Sequence, residues 1–210
     1  NATGEYAFKD VLDLGGVFSL DLKRHFLTEG FYPSDLFDSR GLIDDITDFD
    51  GATATEVNAE MLVRVTQDDP SGSPTYTDFQ TFANGTYKGR GFQFRAKLTS
   101  NDTAQDIRVS QLGYTASLQR RTEQGNLTAS GAGAKAVTFT NPFFVGTSSL
   151  LGANTNLPSV GINAQNMASG DYFEVSSISG TGFTVHFKNS SNASIDRNFT
   201  YQAVGFGKGG

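Results

Sequence analysis

The chain of 210 residues contains no cysteine, no tryptophan and only two methionines. The absence of cysteine excludes a disulfide scaffold, cysteine-ligated zinc, an iron–sulfur cluster and a cysteine nucleophile. Basic residues are also few, because 16 Lys and Arg stand against 22 Asp and Glu and leave a net charge of −6. Such an acidic chain is a poor binder of phosphate backbones, so we expect no nucleic-acid partner. Apolar runs span only a few residues, so we expect no membrane insertion.

The residues that are abundant favour strands. The chain has 18 Phe, 7 Tyr and 24 Gly, and charged residues make up only 18%. Apolar and polar residues alternate in several segments, which indicates half-buried strands, and Gly- and Asn-containing turns separate them. The alternating segments are 61–66, 92–98, 107–110 and 183–188. The pattern predicts an all-β protein. Since the chain begins at Asn1 rather than Met, we expect a fragment or a processed product.

The strands fall into two groups, which predicts two domains. Residues 129–134 are small and have little surface to bury, so they suit a linker. We therefore place the boundary near residue 127, with domains at 1–126 and 127–210. The expected core of the first domain is Phe92, Phe94, Leu98, Ile107 and Val109. The expected core of the second is Phe139, Ile162, Phe173, Val175, Phe183, Val185 and Phe199.

Motifs in both segments resemble the C-terminal region of the central tail-fibre or tail-tip host-specificity proteins of long-tailed bacteriophages. In the first segment they are Val65-Thr66-Gln67-Asp68-Asp69-Pro70, Pro74-Thr75-Tyr76-Thr77-Asp78-Phe79 and Arg90-Gly91-Phe92-Gln93-Phe94-Arg95. In the second they are Gly170-Asp171-Tyr172-Phe173-Glu174-Val175, Arg197-Asn198-Phe199-Thr200-Tyr201 and Gly205-Phe206-Gly207. The first segment also resembles galactose-binding-like jelly rolls, and the second resembles H-type lectins.

The resemblance implies two antiparallel β-sandwich domains, a jelly roll followed by a smaller lectin-like sandwich. It further implies a homotrimer in the virion, at an extracellular tail tip or fibre, in contact with other tail proteins. The expected function is host-surface recognition through a glycan or lipopolysaccharide. Two alternatives stay open: a purely structural fibre-tip or trimerisation module, and a free secreted lectin.

Candidate ligand contacts lie in turns and beside strands of both segments. Aromatic rings can stack on a pyranose, and the planar donor fork of arginine suits sugar hydroxyls and carboxylates. The alternative is that Tyr76 lies at the rim of a core that contains Phe79, and that Asp171 has an architectural role. The candidates are Tyr76, Asp78, Tyr87 and Arg90 in the first segment, and Gln165, Asn166, Asp171 and Tyr172 in the second.

The densest run of acidic residues offers a metal site. Calcium prefers six to eight oxygen ligands, which clustered carboxylates supply. Asp44, Asp45 and Asp48 are the first candidate ligands, although their spacing does not fit an EF-hand. A solvated acidic loop is the alternative. We expect no other cofactor.

The sequence carries no signature of catalysis. It lacks a Gly-x-Ser-x-Gly elbow, a His-Glu-x-x-His helix and a Walker loop. Polysaccharide-cleaving tailspikes are the main enzymatic alternative, but they are usually built from stacked repeats, and this chain has no such period. We therefore expect a protein that binds and does not catalyse.

Overall fold

A computed structural model describes residues 2–33, 54–147 and 156–209, with only the backbone of residues 208 and 209. Strands account for most of these residues. They are β1 Ala2–Ala7, β2 Leu12–Phe31, β3 Val57–Thr66, β4 Gln80–Thr81, β5 Gly85–Ser100, β6 Asp106–Ser117, β7 Arg120–Ala129, β8 Lys135–Thr138, β9 Ser159–Gln165, β10 Tyr172–Ser176, β11 Gly182–Lys188, β12 Asn198–Phe206 and β13 Lys208–Gly209.

The architecture confirms the all-β prediction. Neighbouring strands pair antiparallel, as in β1 with β5 and β3 with β5. The predicted alternation is clear in β11, where Phe183, Val185 and Phe187 are buried and the residues between them are half-buried. Within the described ranges, no helical segment has the length and apolarity that a membrane crossing requires.

The chain forms two compact units, which differ from the ranges expected from the sequence. Unit 1 comprises Asn1–Leu12, Asp21–Thr86 and Gly91–Ala116, and unit 2 comprises Asp13–Leu20, Tyr87–Arg90 and Ser117–Gly210. The boundary expected near residue 127 instead falls at 117. The reason is that residues 120–126 belong to β7, which pairs along β12 of unit 2.

The small-residue stretch expected to be a linker is a tight connection inside unit 2. Ser130 is buried, its N–H donates to the carbonyl of Arg197 at 2.9 Å, and its hydroxyl accepts from the N–H of Arg197 at 3.0 Å. The N–H of Gly131 donates to a carboxylate oxygen of Asp196 at 2.7 Å. These bonds hold the chain where β7 ends and β8 begins.

Phe94 lies at the centre of the unit 1 core. Its ring stacks on Tyr114 with 4.1 Å between centroids and contacts the rings of Phe8 and Phe82 at 5.9 and 5.3 Å. Phe92 is buried as predicted, but Val109 is 36% exposed and does not belong to the core. Most of β6 is exposed, so its apolar residues cover the core only in part.

Unit 2 contains a sandwich of two three-stranded sheets, with strand orders β10-β11-β8 and β7-β12-β9. Their inner faces share one core, to which β11 contributes three residues and β12 contributes Phe199 and Ala203. Of the predicted core residues, Phe139, Phe183, Val185 and Phe199 are buried, and Ile162 and Val175 pack against them. Phe173 lies opposite Phe187 and contacts its ring with 5.6 Å between centroids, but on the edge strand β10 it remains 38% exposed.

Arg121 and Glu123, both on β7, form a largely covered ion pair whose further hydrogen bonds join β7 to the loop after β8. The guanidinium of Arg121 donates to Glu123 at 3.0 Å and to the carbonyl of Gly207 at 2.8 Å, and it lies 3.7 Å from the ring centroid of Phe143. Glu123 also accepts from the N–H of Thr140 at 2.6 Å. Burial raises the pKa of Glu123, but the Thr140 N–H and the Arg121 guanidinium outweigh it and hold this pKa below its usual value. The pair therefore stabilises the fold with Glu123 ionised.

We predict that Glu123→Gln lowers the free energy of unfolding by about 2 kcal/mol, because it removes a charge-assisted bond at a covered site. The stabilisation by the carboxylate is fully present above the pKa of an unfolded glutamate, about 4.3, and is lost as pH falls through the lower folded pKa. Urea unfolding between pH 3 and 7 should therefore show a shallower acid loss in the variant. The matched control is Glu174→Gln, which removes an ion pair between Lys188 and a half-exposed Glu174 side chain and should change stability little. Equal effects of the two variants would contradict the assignment.

Candidate ligand-binding face

The outer surface of the sheet β7-β12-β9 carries a group of carboxamide side chains. Phe199, Tyr201 and Ala203 of β12 point into the core, so Thr200 and Gln202 point to the opposite face. In β9 the same alternation turns Asn163 outward while its neighbours pack on the core. We call this surface the amide face, defined by Gln124, Gly161, Asn163, Gln165, Thr200 and Gln202.

Strand register brings these residues together across the sheet. Gln202 lies directly opposite Gln124 on one side and Gly161 on the other, and Thr200 lies opposite Asn163. Directly paired side chains are about 5 Å apart at Cβ, and diagonal ones remain within reach of each other. The pairing of β7 with β12 also shifts register between Phe199 and Tyr201, and such a bulge bends a strand locally.

The amide face contains an open concavity of about 510 Å³. Gly161 forms part of its floor, because a Cβ added there would meet only the carbonyl oxygen of Gln202, at 3.9 Å. Gly125 has a different reason to be glycine: a Cβ there would lie 1.9 Å from the ring of Tyr201, which packs over it on the core side. The two glycines keep the strands close to the core while leaving the outer surface recessed.

The carboxamides of the amide face are free of hydrogen bonds to other described residues. Gln124, Asn163, Gln165 and Gln202 are exposed, and their side chains make no hydrogen bond to another residue in the part of the chain that the structure describes. Each carboxamide offers two N–H donors and a carbonyl acceptor. None of the residues that line the concavity is Asp, Glu, Lys or Arg. The surface can therefore bind a polar, uncharged partner through several hydrogen bonds.

Two of the predicted contacts in the first segment lie in unit 1. Tyr76 is half-buried and Asp78 is exposed. The guanidinium of Arg64, which is not among the predicted contacts, lies 4.5 Å from the ring centroid of Tyr76 and 4.7 Å from that of Phe79. Arg95 covers Phe79 from a second position at 4.0 Å. Both rings are thus already occupied by arginines, which fix the 74–79 segment on β3 and β5.

The other two predicted contacts in this segment, Tyr87 and Arg90, belong to unit 2. Both are half-buried. The Nε of Arg90 lies 3.2 Å from a carboxylate oxygen of Asp13. This ion pair gives Arg90 a structural role within its unit, and the four residues predicted in the first segment do not converge on one site.

In the second segment the structure separates Asp171 and Tyr172 from Gln165. Asp171 accepts two bonds from Arg197, at 2.9 and 2.5 Å, and one from the N–H of Ala168 at 2.8 Å. The Ala168 N–H and the Arg197 guanidinium hold the pKa of Asp171 below its usual value. Its side chain is only 4% exposed, so Asp171 is architectural, as the alternative interpretation proposed.

The remaining predicted contacts in this segment differ in their availability. The hydroxyl of Tyr172 donates to the side-chain oxygen of Asn192. Asn166 has a φ of 60°, in the left-handed region that asparagine tolerates, and it turns the chain where β9 ends. Gln165 lies on the amide face beside Asn163, at the end of β9. Gln165 is thus the one predicted contact that lies on the amide face, although it does not line the concavity.

The acidic residues Asp44, Asp45 and Asp48 lie outside the described residues. Among the residues that are described, no group of three or more His, Cys, Asp or Glu side chains is arranged to hold a metal ion.

Sequence reasoning missed Gln124, Asn163, Thr200 and Gln202. The sequence does contain a pattern that could have indicated them, in which small or polar residues recur at every second position. It occurs in Gln124-x-Asn126, Gly161-x-Asn163-x-Gln165 and Asn198-x-Thr200-x-Gln202. Spacing by two places such residues on one face of a strand. It does not tell which strands are neighbours, and the three segments become one surface only through the order β7-β12-β9.

Comparison of the chain with known protein families, with curated proteins and with solved structures found no match in any of the three.

The geometry predicts that Asp171→Ala lowers Tm, because it removes the acceptor for Arg197 and for the Ala168 N–H. Gln165→Ala is the matched control and should leave Tm unchanged, because its side chain is exposed and makes no hydrogen bond to another described residue. Differential scanning calorimetry at pH 7 measures both variants. If Asp171→Ala keeps the wild-type Tm, the bonds of Asp171 to Ala168 and Arg197 do not stabilise the fold. Asp171 would then again be a candidate ligand contact.

Proposed function

We propose that this chain is a host-recognition segment of a bacteriophage tail tip or tail fibre, and that it binds a glycan or lipopolysaccharide on the cell surface without catalysing a reaction. Its place is then the virion exterior, among other tail proteins. The motif resemblance supports the viral assignment. The amide face supports the binding function, and it is the observation on which the proposal depends.

The chemistry of the amide face suits a sugar. A glycan presents many hydroxyl groups that both donate and accept, and carboxamides satisfy both roles. Each bond contributes little in competition with water, about 0.5–1.5 kcal/mol, so several acting together give an affinity in the micromolar to millimolar range. Repeated copies on a virion raise the avidity for a repetitive cell surface.

The test of this proposal is Gly161→Leu, which should weaken binding by filling the concavity. The structure leaves open space above Gly161, so the side chain can extend there without disturbing the core. Binding is measured by surface plasmon resonance against a panel of purified bacterial lipopolysaccharides and capsular polysaccharides. We expect at least one to bind the wild type and to lose at least about tenfold in affinity, which corresponds to about 1.4 kcal/mol, with the variant.

Gly133→Leu is the matched control for this experiment. Gly133 also belongs to unit 2 and has no atom near the position of an added Cβ, but it lies between β7 and β8, off the amide face. The control variant should bind like the wild type. If Gly161→Leu retains full binding, the amide face is not the site, and if no member of the panel binds the wild type, the recognition function is wrong.

A second candidate function, a structural homotrimer module, is supported by an apolar cleft in unit 1. The cleft has a volume of about 350 Å³ and is lined by Tyr6, Phe8, Ala96, Leu98, Val109 and Leu112. Every residue of β1 is exposed, and Tyr6 is 60% exposed. Among the described strands, β1 pairs only with β5. An apolar cleft beside such a strand suits a second copy of the chain.

We predict that the wild-type chain has a solution mass near three times 22.5 kDa. Val109→Asp should dissociate it, because burying an unpaired carboxylate in a subunit contact is costly. Val109 is already 36% exposed, so the substitution should leave the folded monomer intact, which circular dichroism verifies. Size-exclusion chromatography with light scattering gives the mass. A monomeric wild type would exclude trimerisation by this chain alone, and a trimeric Val109→Asp variant would place the contact elsewhere.

A further inference from the structure

We infer that the ligand of the amide face is an uncharged, hydroxyl-rich glycan and that it is bound without ion pairs. This inference rests on the proposed function and narrows it. Cell-surface glycans divide into neutral chains and chains that carry carboxylate or phosphate. The residues of the amide face distinguish between these two classes.

The first argument is the distribution of charge. Arg121 and Glu123 lie on the same strand as Gln124, but they point to the other side of the sheet and bind each other. The outward-facing charge on β7 is Arg120, which lies four residues from Gln124. Four residues span about 13 Å along a strand, which exceeds the screening length of about 8 Å at physiological salt. Among the described residues, the lining of the concavity therefore holds no cation that could neutralise a phosphate or a carboxylate.

The second argument is the balance of donors and acceptors. Phosphate and carboxylate groups only accept, so they suit donor-only side chains such as arginine and lysine. Gln124, Asn163 and Gln202 each place a carbonyl oxygen beside their N–H donors. An anion bound here would face those oxygens and lose its hydration without compensating charge. A sugar hydroxyl donates to the carbonyl and accepts from the N–H, so it uses both halves of the carboxamide.

The third argument is the shape of the site. The concavity of about 510 Å³ lies within the range of about 300–1,000 Å³ that is common for small-molecule sites. Its floor at Gly161 has no side chain. Gln202 lies directly opposite Gly161 on β12, and Asn163 follows two residues along β9 on the same face. The ring of Tyr201 packs against Phe139 and Phe183 in the core. Recognition thus depends on hydrogen bonds at fixed positions, which select the pattern of hydroxyl groups.

The test compares two classes of polysaccharide on the whole chain. The probes are neutral O-polysaccharides composed of hexoses and acidic capsular polysaccharides that contain uronic acid or phosphate. Isothermal titration calorimetry is carried out at 50 and 500 mM NaCl. We expect the best neutral probe to bind at least about tenfold more tightly than any acidic probe. We also expect its Kd to change by less than about twofold between the two salt concentrations, since salt screens charges and not neutral hydrogen bonds.

An isosteric substitution provides a second readout. Gln202→Glu keeps the shape of the side chain, removes its two donors and adds a negative charge. Binding of the neutral probe should weaken by about two- to tenfold, the equivalent of one or two hydrogen bonds. The control Glu174→Gln changes the net charge on the other sheet of the sandwich and should leave the Kd unchanged.

The outcomes separate this inference from the proposed function. Preference for an acidic probe, or a steep loss of affinity with salt, would overturn the inference while supporting glycan recognition. If a neutral probe binds and its Kd changes neither with salt nor with Gln202→Glu, the glycan binds outside the amide face. The inference would then be wrong about the site. If neither class binds, the recognition function and the inference are both wrong.

Discussion

The position of β12 between β7 and β9 is the constraint on which unit 2 depends. The backbone of β12 forms hydrogen bonds with a neighbouring strand on each edge. Its side chains therefore alternate between the core and the outer surface of the sheet. Phe199 and Ala203 enter the core, while Thr200 and Gln202 reach the outer surface. A shift of one residue in register would exchange these sets, burying amides and exposing the aromatic core. The same pairing therefore fixes both the fold and the composition of the candidate site.

Charged side chains serve architecture in both units. Arg121 with Glu123 and Arg197 with Asp171 hold loops against the sheets of unit 2, and Arg64 covers two aromatic rings in unit 1. These charged side chains are bound in structural contacts, and the residues that line the open concavity are uncharged. The low share of charged residues, 18%, is consistent with this division of roles. Binding and stability consequently depend on different residues, so they can be varied separately.

Local pattern predicted the secondary structure well, but it predicted the site poorly. Alternation located β3, β5 and β11, because side chains in a strand alternate whatever the partner strand is. The expected domain boundary cut through β7. This strand belongs to unit 2 because it pairs with β12, which lies about 70 to 80 residues later in the sequence. Tyr76 and Arg90 resembled ligand contacts by residue type, yet Arg64 already contacts the ring of Tyr76 and Asp13 already pairs with Arg90. The type of a residue determines which groups it can bind, but its neighbours in the fold determine whether its side chain is free to bind a ligand.

The sequence by itself determined the all-β class, the acidic character and five of the ten buried phenylalanines in the described part of the chain, because composition and period-two alternation act locally along the chain. The tertiary structure alone decided that Gln124, Gly161 and Gln202 stand side by side. It also decided that Val109 and Phe173 remain partly exposed. The physical reason is that neighbourhood in a sheet follows from strand order. Strand order is selected by how the two faces of every strand are buried together, a property of the whole chain and of no single segment.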